Sequence, residues 1–389
     1  MPEIVTEVVL RQQCTGCSAC MNSCPVDAIE MNYNAEGFLV PQIAEKLCIK
    51  CSICYKKCPV VQVLPKTESE LIDNAPTFYG GWSLNETVVK ASSSGGVFTE
   101  LARYVLEQKG KVYGARWINK GIEHWGIDSI ADIGILQGSK YLQSKIGFTY
   151  RQIKNDITSG KKVLFVGTPC QVAGLNSYFR HKNLITADLT CHGVPSYIVY
   201  KKYIELLDHP IEWVNFRDKT TGWSNYSMSL HLKNNSVIKS QYNWKNPFYI
   251  GFLKDIYLNS CCYQCSFSCL PRTGDITLGD FWGVPAHLSN HDRGTSVIIA
   301  NNLKGYQLLQ ELISKKQVYL EEVNKEQATL SNPRLVKGQL RIPVEREKIL
   351  SHLDQYGFKD IQEKYISLPS NKYILKFYLK KFIKKYLKS

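Results

Sequence analysis

Apolar side chains recur at every third or fourth position at Val97, Phe98, Leu101, Ala102, Val105 and Leu106. That spacing predicts one buried helical face, opened by Ser92-Ser93-Ser94-Gly95-Gly96 and stopped at Gly110. A strand-like run over 112–117 follows, and the alternation then repeats. A helix is expected over 147–158, stopped by Gly160, and a short buried strand over 163–166. Gly167-Thr168-Pro169-Cys170-Gln171 turns the chain into a helix over 172–180. The next strand, 184–189, runs into Thr190-Cys191-His192-Gly193. Alternation of this kind predicts βαβ units and an open parallel or mixed sheet. Farther along, 227–232 and 237–241 read as a hairpin about Asn234-Asn235, and 275–278 and 295–300 as strands. A helix over 306–314 would pack over them, and beyond about 345 the pattern is helical and polar.

The first 62 residues lack this rhythm. Ala28-Ile29-Glu30-Met31 and Phe38-Leu39-Val40 predict two short strands around a turn at 34–37. On either side lie two similar cysteine-rich runs, offset by about 34 residues. Residues 63–77 are polar, contain two prolines and predict a linker. The expected organisation is therefore a small unit at 1–62, the linker 63–77, a larger unit at 78–345 and a helical basic tail at 346–389.

Hydrophobic content of 44% and charged content of 21% fit a globular chain with a sizeable core. There is no run of about 18 apolar residues to span a bilayer. The first residues, MPEIVTEVVLRQQ, lack a basic start followed by an apolar stretch, so no export signal is expected. With 14 cysteines in clustered spacing, a reducing cytoplasm is the expected location. The net charge of +14 invites a nucleic-acid reading, but the last 18 residues hold seven lysines and no acid, leaving +14 − 7 = +7 for the rest. No basic helix interleaved with base-stacking aromatics occurs elsewhere, so nucleic acid is not an expected partner. Lys376, Lys380 and Lys384 recur on one side of the tail, opposite Leu375, Leu379, Phe382 and Tyr386. That pattern suits either peripheral contact with an anionic membrane at its inner face or a solvated terminal helix.

The cysteine runs carry the chemistry. They read Cys14-x2-Cys17-x2-Cys20-x3-Cys24-Pro25 and Cys48-x2-Cys51-x2-Cys54-x3-Cys58-Pro59. Three thiolates on one tight loop reach three corners of a [4Fe-4S] cubane, and the fourth crosses to the other cluster. Cys14, Cys17, Cys20 and Cys58 are thus expected to hold one cluster, and Cys48, Cys51, Cys54 and Cys24 the other. Zinc, with four ligands in pairs, fits two identical four-cysteine runs poorly. The 1–62 unit reads as a bacterial-type two-cluster ferredoxin domain.

Six cysteines remain: Cys170, Cys191, Cys261, Cys262, Cys265 and Cys269. Cys170 and Cys191 follow predicted strands, where loops at carboxyl ends line the crevice of an α/β sheet. With Cys262-x2-Cys265 they would complete a third four-thiolate site, in which Cys269 could replace one member; alternatively, they are small buried apolar residues. Ser93-Ser94-Gly95-Gly96 at a helix N-terminus suits a phosphate or is an ordinary cap. Gly138-Ser139-Lys140-Tyr141-Leu142-Gln143-Ser144 is a polar loop whose lysine suits a diphosphate or a flavin ring. Asp275–Gly283 puts Asp280 and aromatic residues at a strand end, and His192 is a candidate proton donor or a structural hydrogen-bonder. There is no G-x-G-x-x-G after a strand, and so no Rossmann fingerprint.

Taken together, the motifs resemble a known family. Ser-Ser-Gly-Gly (93–96), Ser-Lys-Tyr-x-Gln-Ser (139–144), Val-Gly-Thr-Pro-Cys-Gln (166–171) and Cys-x-Gly-Val-Pro-Ser (191–196) occur in order. Phe-Arg-Asp-Lys-x-x-Gly-Trp (216–223), the Cys262–Cys265 motif and Asp-Ile-Thr-Leu-Gly-Asp-Phe-Trp-Gly (275–283) follow. The set resembles the coenzyme F420 hydrogenase/dehydrogenase beta-subunit family, here behind a fused ferredoxin unit. The resemblance implies an α+β or α/β architecture with a mixed α/β flavin-binding domain, FAD and a third [4Fe-4S] cluster on Cys170, Cys191, Cys262 and Cys265. It assigns Ser93, Ser94, Gly95, Gly96, Ser139, Lys140, Tyr141, Gln143 and Thr168 to the cofactor. Catalytic roles would then fall to Lys140, Asp280 and His192. The expected function is an iron–sulfur flavoprotein oxidoreductase exchanging electrons with a ferredoxin, flavodoxin or deazaflavin partner. Its acceptor would be F420-like or an unknown organic substrate, one candidate setting being surface polysaccharide biosynthesis. The other reading is a non-catalytic electron-transfer subunit of a larger redox complex.

Overall fold

In the computed structural model, residues 4–62, 75–119, 121–239, 242–370, 372, 374, 375 and 379 are described. Most of the 63–77 linker lies outside them, as do Lys376, Lys380, Phe382, Lys384 and Tyr386 of the tail pattern. Among the described residues, no helix is long and apolar enough to cross a membrane.

The small unit comprises a hairpin of β1 (Ile29–Tyr33) and β2 (Leu39–Ile43) with short helices at Thr6–Leu10, Ala19–Ser23 and Ile53–Lys56. Its two cysteine runs share a backbone shape as well as a spacing. Gly16 and Ser18 have φ of 65° and 61°, and Lys50 and Ser52, each 34 positions later, have 54° and 59°. Left-handed residues on either side of the second cysteine curl each loop into a concavity lined by backbone N–H groups. Such nests suit an anionic cluster. Lys50 and both serines carry a Cβ into this region, a local strain that persists where the surroundings enforce it.

The large unit is built on a nine-stranded sheet. In chain order its strands are β3 (Thr77–Ser83), β4 (Lys111–Ile118), β5 (Gly121–Ile127), β6 (Ser144–Lys145), β7 (Val163–Gly167) and β8 (Leu184–Leu189). They continue with β12 (Ile276–Asp280), β13 (Ser296–Ala300) and β14 (Val318–Val323). Across the sheet they lie in the order β14-β3-β13-β12-β8-β7-β4-β5-β6. The central run β12-β8-β7-β4 is parallel, and antiparallel pairs flank it. Every residue of β7 is buried, as in parallel strands covered on both faces. Helices Val97–Glu107 and Leu303–Ser314 pack on one face, and Thr149–Thr158 and Pro169–Tyr178 on the other. The mixed α/β fold with a small N-terminal unit is the one the sequence predicts.

Several expectations change. The strands β3, β5 and β14 are not apparent in the sequence pattern, and β3 shows why: Gly80 and Gly81 interrupt its alternation. Those glycines let Phe281, Leu288 and the Tyr319 carbonyl approach the strand, leaving no room for a Cβ. Thr77, assigned to the linker, is the first residue of that strand. The boundary at 345 is also displaced. Ile349, Leu350, Leu353, Phe358, Ile361 and Ile366 are buried in an aromatic-rich core. That core joins the helices Val344–Leu350 and Phe358–Tyr365 to a second sheet of β9 (Ile211–Asp218), β10 (Ser227–Leu232) and β11 (Val237–Lys239). The 346–366 stretch therefore belongs to the body of the protein rather than to a tail.

Candidate redox site

Because β7, β8 and β12 run parallel, their carboxyl ends meet at one edge of the sheet. Thr168 and Cys170 follow β7, Thr190 and Cys191 follow β8, and Asp280 ends β12. This is the edge at which open α/β sheets bind ligands. A cleft there encloses about 1550 Å³, counted to its open mouth. Its wall includes Ser93, Ser94, Gly96, Ser139, Lys140, Tyr141, Gln143, Thr168, His192 and Asp280.

Gly95 does not line this cleft, contrary to the cofactor assignment. Its N–H donates to Ser296 Oγ at 3.0 Å, and a Cβ there would meet the Gly81 carbonyl at 2.5 Å. It is a packing glycine. Gly96, at φ 88°, starts the helix Val97–Glu107 with no side-chain cap, so that helix presents an uncapped first turn to the cleft. Ser93 Oγ accepts the Ser139 N–H at 2.7 Å and ties the two loops together. Gln143 is held by the small unit: its Nε2 donates to the Thr15 carbonyl at 3.0 Å and its Oε1 accepts from Leu39 N–H at 3.3 Å.

Lys140 Nζ donates to the carbonyls of Leu136, Gln137 and Gly138 at 3.2, 2.8 and 3.1 Å. Burial of the ammonium lowers its pKa to about 7. Nearby, His124 is neutral, its pKa lowered to about 4 by burial, with Nε2 donating to the Val166 carbonyl at 3.0 Å. Ser144 Oγ, 2.9 Å from its Nδ1, receives the Gln171 amide at 3.0 Å. Asp280 is less available than its motif suggests. Its Oδ1 accepts from buried Arg217 at 3.0 Å and from Trp223 Nε1 at 2.9 Å. Arg217 is a site residue that the sequence reading misses, although it stands in the 216–223 motif. His192 Nε2 lies 2.8 Å from Asp255 Oδ1 and 3.1 Å from the Phe252 carbonyl, so its ring is held in place.

Beside the cleft is a narrow pocket, about 420 Å³ counted to its open mouth, lined by Cys170, Cys191, Cys261, Cys262 and Cys265. Thr15, Cys170, Cys191, His192, Gly193 and Val194 line both spaces. Cys269 is not among the lining residues; its thiol donates to the Ser266 carbonyl at 3.3 Å. Gly193, at φ 141°, lets the loop after β8 pass Leu258, whose Cδ1 would be 2.7 Å from an added Cβ. The Val194 N–H then reaches Cys262 Sγ at 3.4 Å. Burial pushes Cys191 up to about 12, helped by neighbouring Cys262 and Cys265. Thiols in this state stay protonated until a cation compensates them.

The small unit has the same character. A third pocket, about 350 Å³ counted to its open mouth, is lined by Cys24, Cys48, Cys51 and Cys54, the crossed set the spacing predicts. Burial raises Cys14 to about 12 and Cys17 to about 11, and Cys58 is close enough to each to add to the effect. Burial raises Cys20 as well, with Cys17, Cys14 and Cys58 crowding it. None of the 14 cysteines is in a disulfide. Among the described residues, no three His, Cys, Asp or Glu side chains converge as a single metal ion requires. A cubane, by contrast, spreads its ligands over four corners.

The two units are joined at the cysteine loops. Tyr150 Oη donates to the Cys17 carbonyl at 2.9 Å, and Asn259 Nδ2 to that of Cys14 at 3.4 Å. Arg151 grips the carbonyls of Met21, Asn22 and Cys24 at 3.2, 2.9 and 3.0 Å.

Comparison with known proteins matches residues 160–326 to a family described as coenzyme F420 hydrogenase/dehydrogenase, C terminus of the beta subunit. Residues 13–64 match a 4Fe-4S dicluster domain. The two matches lie in separate stretches of the chain. The first of these matches contains Cys170, Cys191, Cys262, Cys265, His192 and Asp280. Ser93–Gly96 and Lys140 lie outside it, between the two modules. All eight cysteines of the paired runs fall within the dicluster domain. Among solved structures, one chain of the xenon-derivatised F420-reducing [NiFe] hydrogenase complex from Methanosarcina barkeri is 17% identical, with a TM-score of 0.46 over 74% of this chain and 91% of that one. The comparison with curated proteins returned no match.

Proposed function

We propose that the protein is an iron–sulfur flavoprotein oxidoreductase. In this reading Cys170, Cys191, Cys262 and Cys265 hold a third [4Fe-4S] cluster and the cleft holds FAD. A flavin supplies the means of exchanging single electrons on one side and a hydride equivalent on the other. The observation that carries the reading is the wall shared by the thiol-lined cavity and the cleft, to which Cys170, Cys191 and Thr15 of the first cysteine run all contribute.

The residues present fit these groups. The uncapped turn at Gly96–Phe98 offers N–H groups and the positive end of a helix dipole to a diphosphate. Burial raises Cys170, Cys191 and Cys265, which gain charge readily only with a cationic core beside them. Lys140, with a pKa of about 7, can gain or lose a proton at Nζ near neutrality. Asp280, anchored to Arg217 and Trp223, holds its carboxyl group in a fixed position at the cleft edge. His192, with Nε2 held by Asp255 and the Phe252 carbonyl, has its ring fixed at the wall between the two spaces. The acceptor, a deazaflavin or another organic molecule, would enter by the open mouth.

Anaerobic purification tests the reading. The expected product is brown, with roughly twelve irons and matching sulfide and FAD in equal amount to protein. Zinc in place of iron, or iron without flavin, would overturn it.

A further inference from the structure

The two cysteine sets of the small unit face different surroundings. Cys17, Cys20 and Cys58 are only 8%, 6% and 6% exposed, and Cys17 lies against Gly174 and Tyr150 of the large unit, whereas Cys51 is exposed. The cavity that Cys51 lines has Pro25, Val26, Ile49 and Lys50 in its wall. Leu47 and Ile49 are 56% and 61% exposed, large values for apolar side chains, and Val26 is 37% exposed. Lys50 in this wall is exposed, as are Lys46, next to Leu47, and Lys56, two residues after Cys54. Residues 45–58 contain four lysines and a single acid, Glu45. Lys57, the fourth lysine, is turned inward to the Ser177 carbonyl at 2.9 Å. Asp27, three residues after Cys24, is paired with Arg151 at 2.6 Å.

We infer that this lysine-ringed apolar face is the docking surface for a small acidic one-electron carrier protein. The inference rests on the proposed electron route and adds the place and the partner. A small apolar rim suits a transient contact burying less than about 1,200 Å², the size class of redox encounters. The lysines select the partner, because opposite charge on the carrier speeds encounter and orients it. A free organic cofactor is a poorer fit, since the pocket of about 350 Å³ is the cluster's own seat. The step is one electron: the carrier's reduced centre is oxidised by one, the cluster on Cys48, Cys51, Cys54 and Cys24 is reduced by one, and no bond changes.

The test uses full-length holoprotein and two donors under anaerobic conditions. One is a prereduced acidic ferredoxin freed of its reductant; the other is photoreduced 5-deazariboflavin, a neutral small donor. For Lys46→Glu/Lys50→Glu/Lys56→Glu, the KM for the ferredoxin should rise about tenfold or more. The fall in wild-type rate between about 20 and 500 mM salt should flatten. The ratio of ferredoxin-driven to deazaflavin-driven reduction reads out docking, and iron content checks the fold. A milder Lys50→Gln/Lys56→Gln variant gives an intermediate ratio if the triple variant loses iron. An unchanged ferredoxin KM and salt response in either iron-replete variant overturns the docking surface. Wild-type protein that takes electrons from neither donor overturns the electron route instead.

Discussion

Replacing Arg272 by methionine should loosen the sheet edge that holds the third thiol set. Asp188, at the end of β8, and Arg272 form an ion pair with both side chains 0% exposed. Asp188 Oδ1 accepts from Arg272 Nε and Nη2 at 3.1 and 2.6 Å. Its Oδ2 accepts from Thr273 N–H at 3.1 Å, Thr273 Oγ1 at 3.2 Å and Gly274 N–H at 2.7 Å. Arg272 also holds the Phe267 carbonyl at 3.3 Å and that of Leu189 at 3.0 Å, which fixes the loop from Cys265 beside that of Cys191. Methionine matches the volume but leaves a buried carboxylate without its cation. Breaking such a pair from one side costs about 3–5 kcal/mol, mostly the penalty of the orphaned charge. For a unit of this size that corresponds to a fall in Tm of about 6–20 °C. Anaerobic near-ultraviolet circular dichroism melts measure it, with iron assays alongside. Iron should fall toward roughly eight per chain as the third set loosens. Adding Asp188→Asn should restore part of the lost stability, because the charge is then gone. A single variant that melts within about 2 °C of wild type with full iron would refute the reasoning.

Three further outcomes follow from the geometry. Arg151→Ala removes three charged hydrogen bonds to carbonyls of the small unit. It should destabilise the junction by about 2–4 kcal/mol, seen as earlier cluster loss in denaturant while the large unit melts as before. Cys262→Ser should cost the third cluster, a loss of roughly four irons, whereas Cys269→Ser, outside the cavity, should leave the iron count unchanged. Lys140 has a folded pKa of about 7, well below its unfolded value, so the unfolded chain binds the extra proton from about pH 7 up to the usual lysine range. Its contribution to stability therefore improves as pH rises through that window, and Lys140→Met should flatten this part of the pH–stability curve measured by chemical denaturation.

How much of this was legible along the chain varied with the distance over which each feature is determined. A cluster loop is local: three cysteines and a turn fit within seven residues, and the 34-residue repeat extends to the left-handed backbone at Gly16, Ser18, Lys50 and Ser52. The buried strands β7 and β8 were equally plain, as apolar runs bounded by Gly and Asn or Thr. Strand β3 was hidden because its glycines are explained by Phe281, Leu288 and Tyr319, distant in sequence. The core role of Ile349, Phe358 and Ile361 was hidden for a similar reason: a polar helix with one apolar stripe looks like a tail until its partner is known.

By itself the chain singled out the candidate residues: the paired cysteine runs, the thiols after β7 and β8, and the polar loops around Ser93 and Lys140. Only the tertiary structure decided which of them meet. It brought Cys261 into the thiol cavity and left Cys269 out, turned Gly95 away from the cleft, and engaged Gln143 and Asp280 with Thr15 and Arg217. The reason is physical. Ligand spacing within a loop follows from covalent reach, whereas convergence of separate loops depends on strand order and on which buried polar groups must pair.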